Sequence, residues 1–224
     1  MLTESRKMRF KKPAYPTVYF SEEIWIKCPK CSEPAMVKTE LPKYTIPFPR
    51  GHISVCSCSY CGFKETDNNN WSGYVQGFVN RACRNCGSRI CYTTEPTKKT
   101  YKTSNIRCDI CKVTKEYEIQ WYRFRNDKPT DPYFGFELWL QTTIKDNILW
   151  LYNIDHLNYL NDYINAKLRE DNGRHKYSMI ANLPKWIKSS KNRNLIVKKL
   201  NKLKLQFENR TLHNNGNDFQ ATNL

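Results

Sequence analysis

Four Cys-x2-Cys pairs constrain this chain more than any other feature: Cys28/Cys31 (CPKC), Cys58/Cys61 (CSYC), Cys83/Cys86 (CRNC) and Cys108/Cys111 (CDIC). Two intervening residues let one tight turn offer both sulfurs to a single ion. Two such turns complete a tetrahedral four-cysteine zinc site with Zn–S bonds of about 2.3 Å. Pairing in chain order assigns Cys28, Cys31, Cys58 and Cys61 to one ion, and Cys83, Cys86, Cys108 and Cys111 to a second. The intervening 26 and 21 residues suit zinc ribbons, in which turns at the tips of β-hairpins face each other. Gly62 and Gly87 directly follow their pairs and supply positive φ at the exit of the turn, where Ser32 and Lys112 stand in the other two. Ligation by four thiolates also admits iron in a rubredoxin-like site.

The stretch VCSCSYCGF (55–63) holds a third sulfur, Cys56. A Cys56/Cys58 pair lacks the two-residue turn, whereas Cys58/Cys61 has it and is followed by Gly62. Cys-x-Cys-x2-Cys also matches the middle of a cross-braced RING site. That site wants a ligand at position 64, which is lysine, and it would orphan Cys108 and Cys111. Cys56 is therefore expected on the strand entering the turn, as a small buried hydrophobe, with Cys91 as its counterpart in the second module.

The first twenty residues, MLTESRKMRFKKPAYPTVYF, are basic and lack an apolar core, so no secretory leader is expected. No run of 18 apolar residues exists, and no membrane partner is expected. The ten cysteines are then read in a reducing compartment, the cytoplasm, where paired cysteines are metal ligands before they are disulfides. The net charge is +16 and uneven: residues 175–224 hold ten Lys/Arg against two acids, and residues 67–120 nine against five. Such an excess favours a polyanionic partner, most often nucleic acid.

The chain reads as a basic arm (1–23), zinc ribbon 1 (24–66), a linker (67–80), zinc ribbon 2 (81–124), an α+β region (125–207) and a disordered tail (208–224). AMVKT (35–39), HISVCS (52–57) and the alternating VTKEYEIQWYRF (113–124) are predicted strands. PKYTIPFPRGH (42–52), with three prolines, is a predicted loop. FGFELWLQT (134–142) and NILWLYNI (147–154) predict a hairpin through TIKD. A helix over 155–171 is expected, capped by Asp155, stopped at Asn172-Gly173 and apolar at Leu157, Leu160, Ile164 and Leu168. YSMIANL (177–183) predicts a short helix. KNRNLIVKKLNKLKLQF (191–207) predicts another, apolar at Ile196, Leu200, Leu203 and Phe207.

No Gly-rich phosphate loop, His-Glu-x2-His or nucleophile elbow is present. Glu137 with Asp131 and Lys145 is the one thin nuclease candidate, read instead as a polar strand edge and a loop carboxylate. A zinc closed by four cysteines has no open position to activate water. His52, His156, His175 and His213 are read as surface or cap residues. No catalytic residue and no small-molecule substrate are inferred.

The candidate nucleic-acid contacts are Arg81, Arg84, Arg89, Lys98, Lys99, Lys102, Arg107, Lys185, Lys188, Lys191 and Arg193, with Tyr101 placed to stack on a base. Leu183, Trp186 and Ile187 are read as a plug docking a short helix. The cysteine motifs, with FELWLQT, LWLYNIDHLNYLNDYI and LPKWIKSSKNR, resemble bacterial proteins described as transcription-factor-IIB-type zinc-ribbon-containing. The likeness spans roughly residues 24–204, and the family is functionally uncharacterised. It implies metal and fold; no cyclin-like repeats follow, so it does not imply an initiation factor.

The expectation is thus an α+β protein: two tandem β-rich four-cysteine zinc ribbons, a strand pair and a helical, basic C-terminal region. Two structural Zn2+ are implied. The leading function is non-catalytic nucleic-acid binding, DNA or RNA; the alternative is an adaptor whose ribbons dock a partner protein.

Overall fold

A computed structural model of the chain describes residues 9–40, 53–67, 71–124, 129–167 and 176–215. The predicted loop 42–52, with His52, lies outside them, as do Leu168, Asn172, Gly173, His175 and the tail beyond 215; the side chain of His213 is likewise not described. The fold is mixed α+β, and its strands pair antiparallel. The chain forms two compact units, one of residues 1–66 with 137–224 and one of residues 67–136. Spatial grouping therefore differs from chain order, since the first cysteine module shares a unit with the C-terminal region.

In the first unit, β1 (Glu23–Lys27), β2 (Pro34–Glu40), β3 (Ile53–Ser57) and β4 (Lys64–Thr66) form a meander in sequence order. Period-two alternation puts Ile24, Ile26, Val37 and Cys56 on one buried face. The free edge of β1 takes a partner from far along the chain. Lys27 N donates to Glu137 O, Trp139 N to Trp25 O, and Trp25 N to Tyr152 O. After the tight hairpin β10 (Gln141–Ile144) and β11 (Asn147–Trp150), helices α1 (Ile154–Asn165), α2 (Lys185–Lys188) and α3 (Arg193–Asn215) complete the unit. Leu157, Leu160, Ile164, Ile196, Leu200, Leu203 and Phe207 are all buried. Helices α1 and α3 pack on each other, and Trp25 meets Phe207 edge-on at 5.0 Å.

The second unit holds β5 (Val75–Ala82), β6 (Arg89–Thr93), β7 (Thr103–Arg107), β8 (Thr114–Glu118) and β9 (Gln120–Arg123). They form a β6-β5-β9 sheet and a β7-β8 hairpin. The expected single strand 113–124 is cut at Ile119, whose N–H donates to Lys102 O; the halves join different sheets. Gly77 permits the close packing here, because a Cβ there would meet Ile119 Cγ2 at 2.5 Å.

Several local expectations are corrected. The C-terminal hairpin spans 141–150 and turns at Lys145-Asp146, with Lys145 in left-handed backbone (φ 55°). The stretch 134–140 is apolar every second residue, yet it forms only an isolated bridge of Leu138 to Ile26 of β1, because Asp131 holds its first residues in a loop. This carboxylate is buried and accepts N–H groups from Tyr133 (2.9 Å), Phe134 (2.8 Å) and Phe136 (2.6 Å), so they are spent in a loop rather than a ladder. Helix α1 is capped by Asn153, not Asp155. Its Oδ1 accepts from His156 N, and its Nδ2 donates to Phe20 O and Glu23 O. The helix ends at Asn165, ahead of the expected stop. Residues 177–183 form turns, with Asn182 Nδ2 donating to Lys176 O and Ser178 O. Helix α3 continues past Glu208 to Asn215, into the segment expected to be disordered. The arm is docked over its described part. Phe10 lies edge-on to Tyr159 and Tyr163, and Tyr159 Oη donates to Pro13 O.

His156 is not a surface residue. It is 4% exposed, stacks on Phe20 at 4.8 Å and accepts from Tyr152 N at Nδ1. Burial pushes its pKa down to about 3. The unfolded chain, with an ordinary histidine pKa near 6.5, therefore binds more protons between those values. Stability from this group is intact above pH 6.5 and falls by about 1.4 kcal/mol per unit as pH drops toward 3. Urea denaturation at pH 7 and pH 5.5 should show the native chain losing about 1 kcal/mol more than His156→Gln. An equal loss in both would remove His156 as the cause.

Candidate metal centres

The four cysteine turns repeat one backbone design. In each, the N–H of the first cysteine bonds a carbonyl five residues on: Cys28 to Glu33, Cys58 to Phe63, Cys83 to Ser88 and Cys108 to Val113. The N–H four residues after that cysteine returns to its carbonyl, from Ser32, Gly62, Gly87 and Lys112. That donor is left-handed in all four, with φ of 64°, 68°, 75° and 60°. Ser32 and Lys112 thus hold the conformation glycine provides freely, at a cost of order 1–2 kcal/mol each. The hydrogen-bonded frame and the sulfurs impose it.

These turns bring the sulfurs together in two groups, Cys28/Cys31/Cys58/Cys61 and Cys83/Cys86/Cys108/Cys111, each within 4.8 Å. Cys28 Sγ is 3.6 Å from Cys61 Sγ, and Cys31 Sγ is 3.6 Å from Cys58 Sγ. In the second group, the Cys83–Cys111 and Cys86–Cys108 separations are both 3.8 Å. Four ligands at about 2.3 Å in a tetrahedron stand about 3.8 Å apart, so the spacing fits one metal ion per group. It is far too long for disulfides, and all ten cysteines are free thiols. The first cysteine of each pair is buried and the second lies nearer solvent. Every ligand belongs to the protein, so a bound ion would be structural.

The thiols are electrostatically unequal. Burial raises Cys28, but N–H groups of Cys31 and Lys30 and the neighbouring sulfurs outweigh it and bring it down to about 7. Cys108 falls to about 6, chiefly through the Ser88 hydroxyl and then the N–H groups of Cys111 and Ile110. Ser88 Oγ lies 3.1 Å from Cys108 Sγ and 3.0 Å from Cys86 Sγ. Glu33 occupies that place in the first module and offers no hydroxyl. Against the pull of the Glu33 N–H, burial and then the sulfurs of Cys61, Cys28 and Cys58 push Cys31 up to about 12. A metal ion would discharge these protons and remove the repulsion.

The two spare cysteines differ. Cys56 is fully buried in β3, opposite Val37 and Glu65. Cys91 was expected to match it but is exposed, on β6 opposite Asn80. Alternation within each strand explains the difference: Cys56 shares the face of the buried Ser54 on β3, whereas Cys91 stands next to the buried Ile90 on β6 and so faces the other way.

The basic candidates are distributed over both units. Arg81, Arg84, Arg89, Lys98, Lys99, Lys102 and Arg107 lie in the second, and all are exposed. Arg84 sits over the Tyr117 ring at 5.4 Å, Lys98 over Tyr74 at 5.6 Å, and Arg107 Nε donates to Lys112 O. Lys185, Lys188 and Lys191 in the first unit are exposed, whereas Arg193 is half-buried and its Nε has no partner among the described residues. Ile187 is buried and Trp186 half-buried. The two acids and the lysine of the nuclease candidate have separate structural tasks: Asp131 organises its loop, Glu137 pairs with Lys27, and Lys145 Nζ donates to Asn192 Oδ1. No family model, curated protein or solved structure matches the chain. No helix among the described residues is long and apolar enough to cross a membrane.

Proposed function

We propose that the chain is a non-catalytic zinc protein of the cytoplasm that binds nucleic acid through the basic hairpins of its second cysteine module. The exposed Arg81, Arg84, Arg89 and Arg107 beside the four-sulfur group carry this reading. Two four-thiolate zinc sites would each bring a formal charge of −2, which lowers the chain's +16 to about +12 and leaves a strongly basic protein. The resemblance of FELWLQT, LWLYNIDHLNYLNDYI and LPKWIKSSKNR to transcription-factor-IIB-type zinc-ribbon-containing proteins supports the metal and fold part of this reading. Titration of the metal-loaded protein into a labelled oligonucleotide, at 50 and 200 mM salt, tests it. Six to ten phosphate contacts would weaken binding by about 10³–10⁵ between those salts. No binding at the lower salt would overturn it.

The adaptor reading has one specific support. Ile110, at the tip of the Cys108 turn, is 73% exposed, and Tyr60, at the tip of the Cys58 turn, is 46% exposed. Apolar tips of this kind suit a protein partner better than a phosphate backbone. Co-purification of one stoichiometric protein, lost in Ile110→Asp, would favour it.

A further inference from the structure

The β6-β5-β9 sheet has one face in the core and one in solvent. Val79 and Ile90 are buried on the inner face, with Tyr92 and Trp121 packed against the same cluster. Residues directly opposite on antiparallel strands share a face. The registers Gln76↔Tyr122, Phe78↔Gln120, Phe78↔Thr93 and Asn80↔Cys91 therefore set these side chains together on the outer face.

That face has an unusual chemistry for a surface. Phe78 and Tyr122, on adjacent strands, form an edge-to-face pair with centroids 5.6 Å apart. Tyr122 is 55% exposed. Around the rings stand the amides of Gln76, Gln120 and Asn80, and Arg89, whose Nε donates to Asn80 Oδ1. None of the three strands contains an acidic residue, and the outer positions carry no Leu, Ile, Val or Met. The tyrosine and arginine anchors of a protein-docking patch sit in well-packed, desolvated pockets, whereas Tyr122 stands open on a sheet face. An exposed Tyr122 ring backed by the half-buried Phe78, flanked by amides that can hydrogen-bond base edges and by an arginine, suits unstacked bases instead.

The geometry points to a single-stranded nucleic acid as the ligand of this face, with bases stacked on Tyr122 and Phe78. The inference rests on the nucleic-acid reading above and narrows it. A duplex buries the faces of its bases, so it cannot use the rings and gains only from the phosphates.

The test uses the full, metal-loaded chain with single-stranded dT and rU 20-mers and with a duplex of equal length. At least one single strand should bind more tightly than the duplex. Tyr122→Ala should weaken that complex about 5- to 150-fold, the range of one stacked base, while duplex affinity stays within about two-fold. Tyr122→Phe should restore it. Unchanged metal content and melting temperature in Tyr122→Ala would exclude unfolding. Cys91, exposed on the same face, supplies an independent readout: the bound strand should slow its alkylation by a maleimide. Equal binding of strand and duplex, with no effect of Tyr122→Ala and no protection of Cys91, would overturn the platform and leave the nucleic-acid reading standing. No binding of any of the three oligonucleotides at low salt would overturn both.

Discussion

Cys58→Ser is expected to release one metal ion per chain, whereas Cys56→Ser keeps both. The two sulfurs are two residues apart and both are buried, yet only Cys58 lies 3.6 Å from another ligand sulfur, that of Cys31. A serine hydroxyl does not ionise at neutral pH and cannot replace a thiolate. Apparent binding energies of structural zinc reach about 10–16 kcal/mol, so this is the largest single effect in the chain. The damage should remain local. β1 is still paired with the 137–139 segment, so backbone exchange should accelerate mainly in residues 28–34 and 58–66. Cys56→Ser instead places a hydroxyl on a buried strand face, at about 1–3 kcal/mol. Native mass spectrometry counts the ions. Retention of both metals by Cys58→Ser, or loss of one by Cys56→Ser, would refute the assigned ligand set.

Asp131→Ala is expected to cost about 3–5 kcal/mol without touching a metal, because three buried N–H groups lose an anionic acceptor at once. Burial pushes this carboxyl up to about 6, against the pull of the N–H groups of Phe134, Phe136, Tyr133 and Gly135. The carboxylate therefore still prevails at neutral pH. Asp131→Asn keeps one oxygen for Tyr133 and Phe134 and sets an amide against Phe136 N, so a loss of about 1–3 kcal/mol should follow. Denaturant titration at constant metal content measures both. If the asparagine variant lost as much as the alanine variant, the bidentate account of the loop would fail.

The cysteine groups were legible because metal ligation writes itself locally: a two-residue turn, a left-handed exit and a partner turn some twenty residues away. The apolar stripes of α1 and α3 were legible for the same reason, since period is a local property. What escaped the sequence depends on distant partners. Asp131 looks like any loop acid until its three backbone donors are seen. The 134–140 stretch has a strand's alternation, but the N–H groups of Phe134 and Phe136 are already engaged by Asp131. Asn153, not Asp155, caps α1 because its amide also bonds Phe20 and Glu23, more than a hundred residues earlier. His156 is buried by Phe20 and Tyr152, which its own sequence neighbourhood does not announce. The outer sheet face is hidden in the same way: the alternation of 113–124 sets Tyr122 in a single strand, and only the break at Ile119 sends it to β9, beside Phe78.

The discontinuous first unit sets a timetable during synthesis. Its sulfur set is complete at Cys61, yet the segment that covers β1 begins only at Glu137, after the whole second unit has been made. At about 5–20 residues per second, β1 waits roughly 4–15 s on the ribosome with an open hydrogen-bonding edge. A bare strand edge is a template for pairing with another nascent chain. Early capture of an ion would fix the meander's register through that interval, so metal supply would govern yield before it governs the stability of the finished protein.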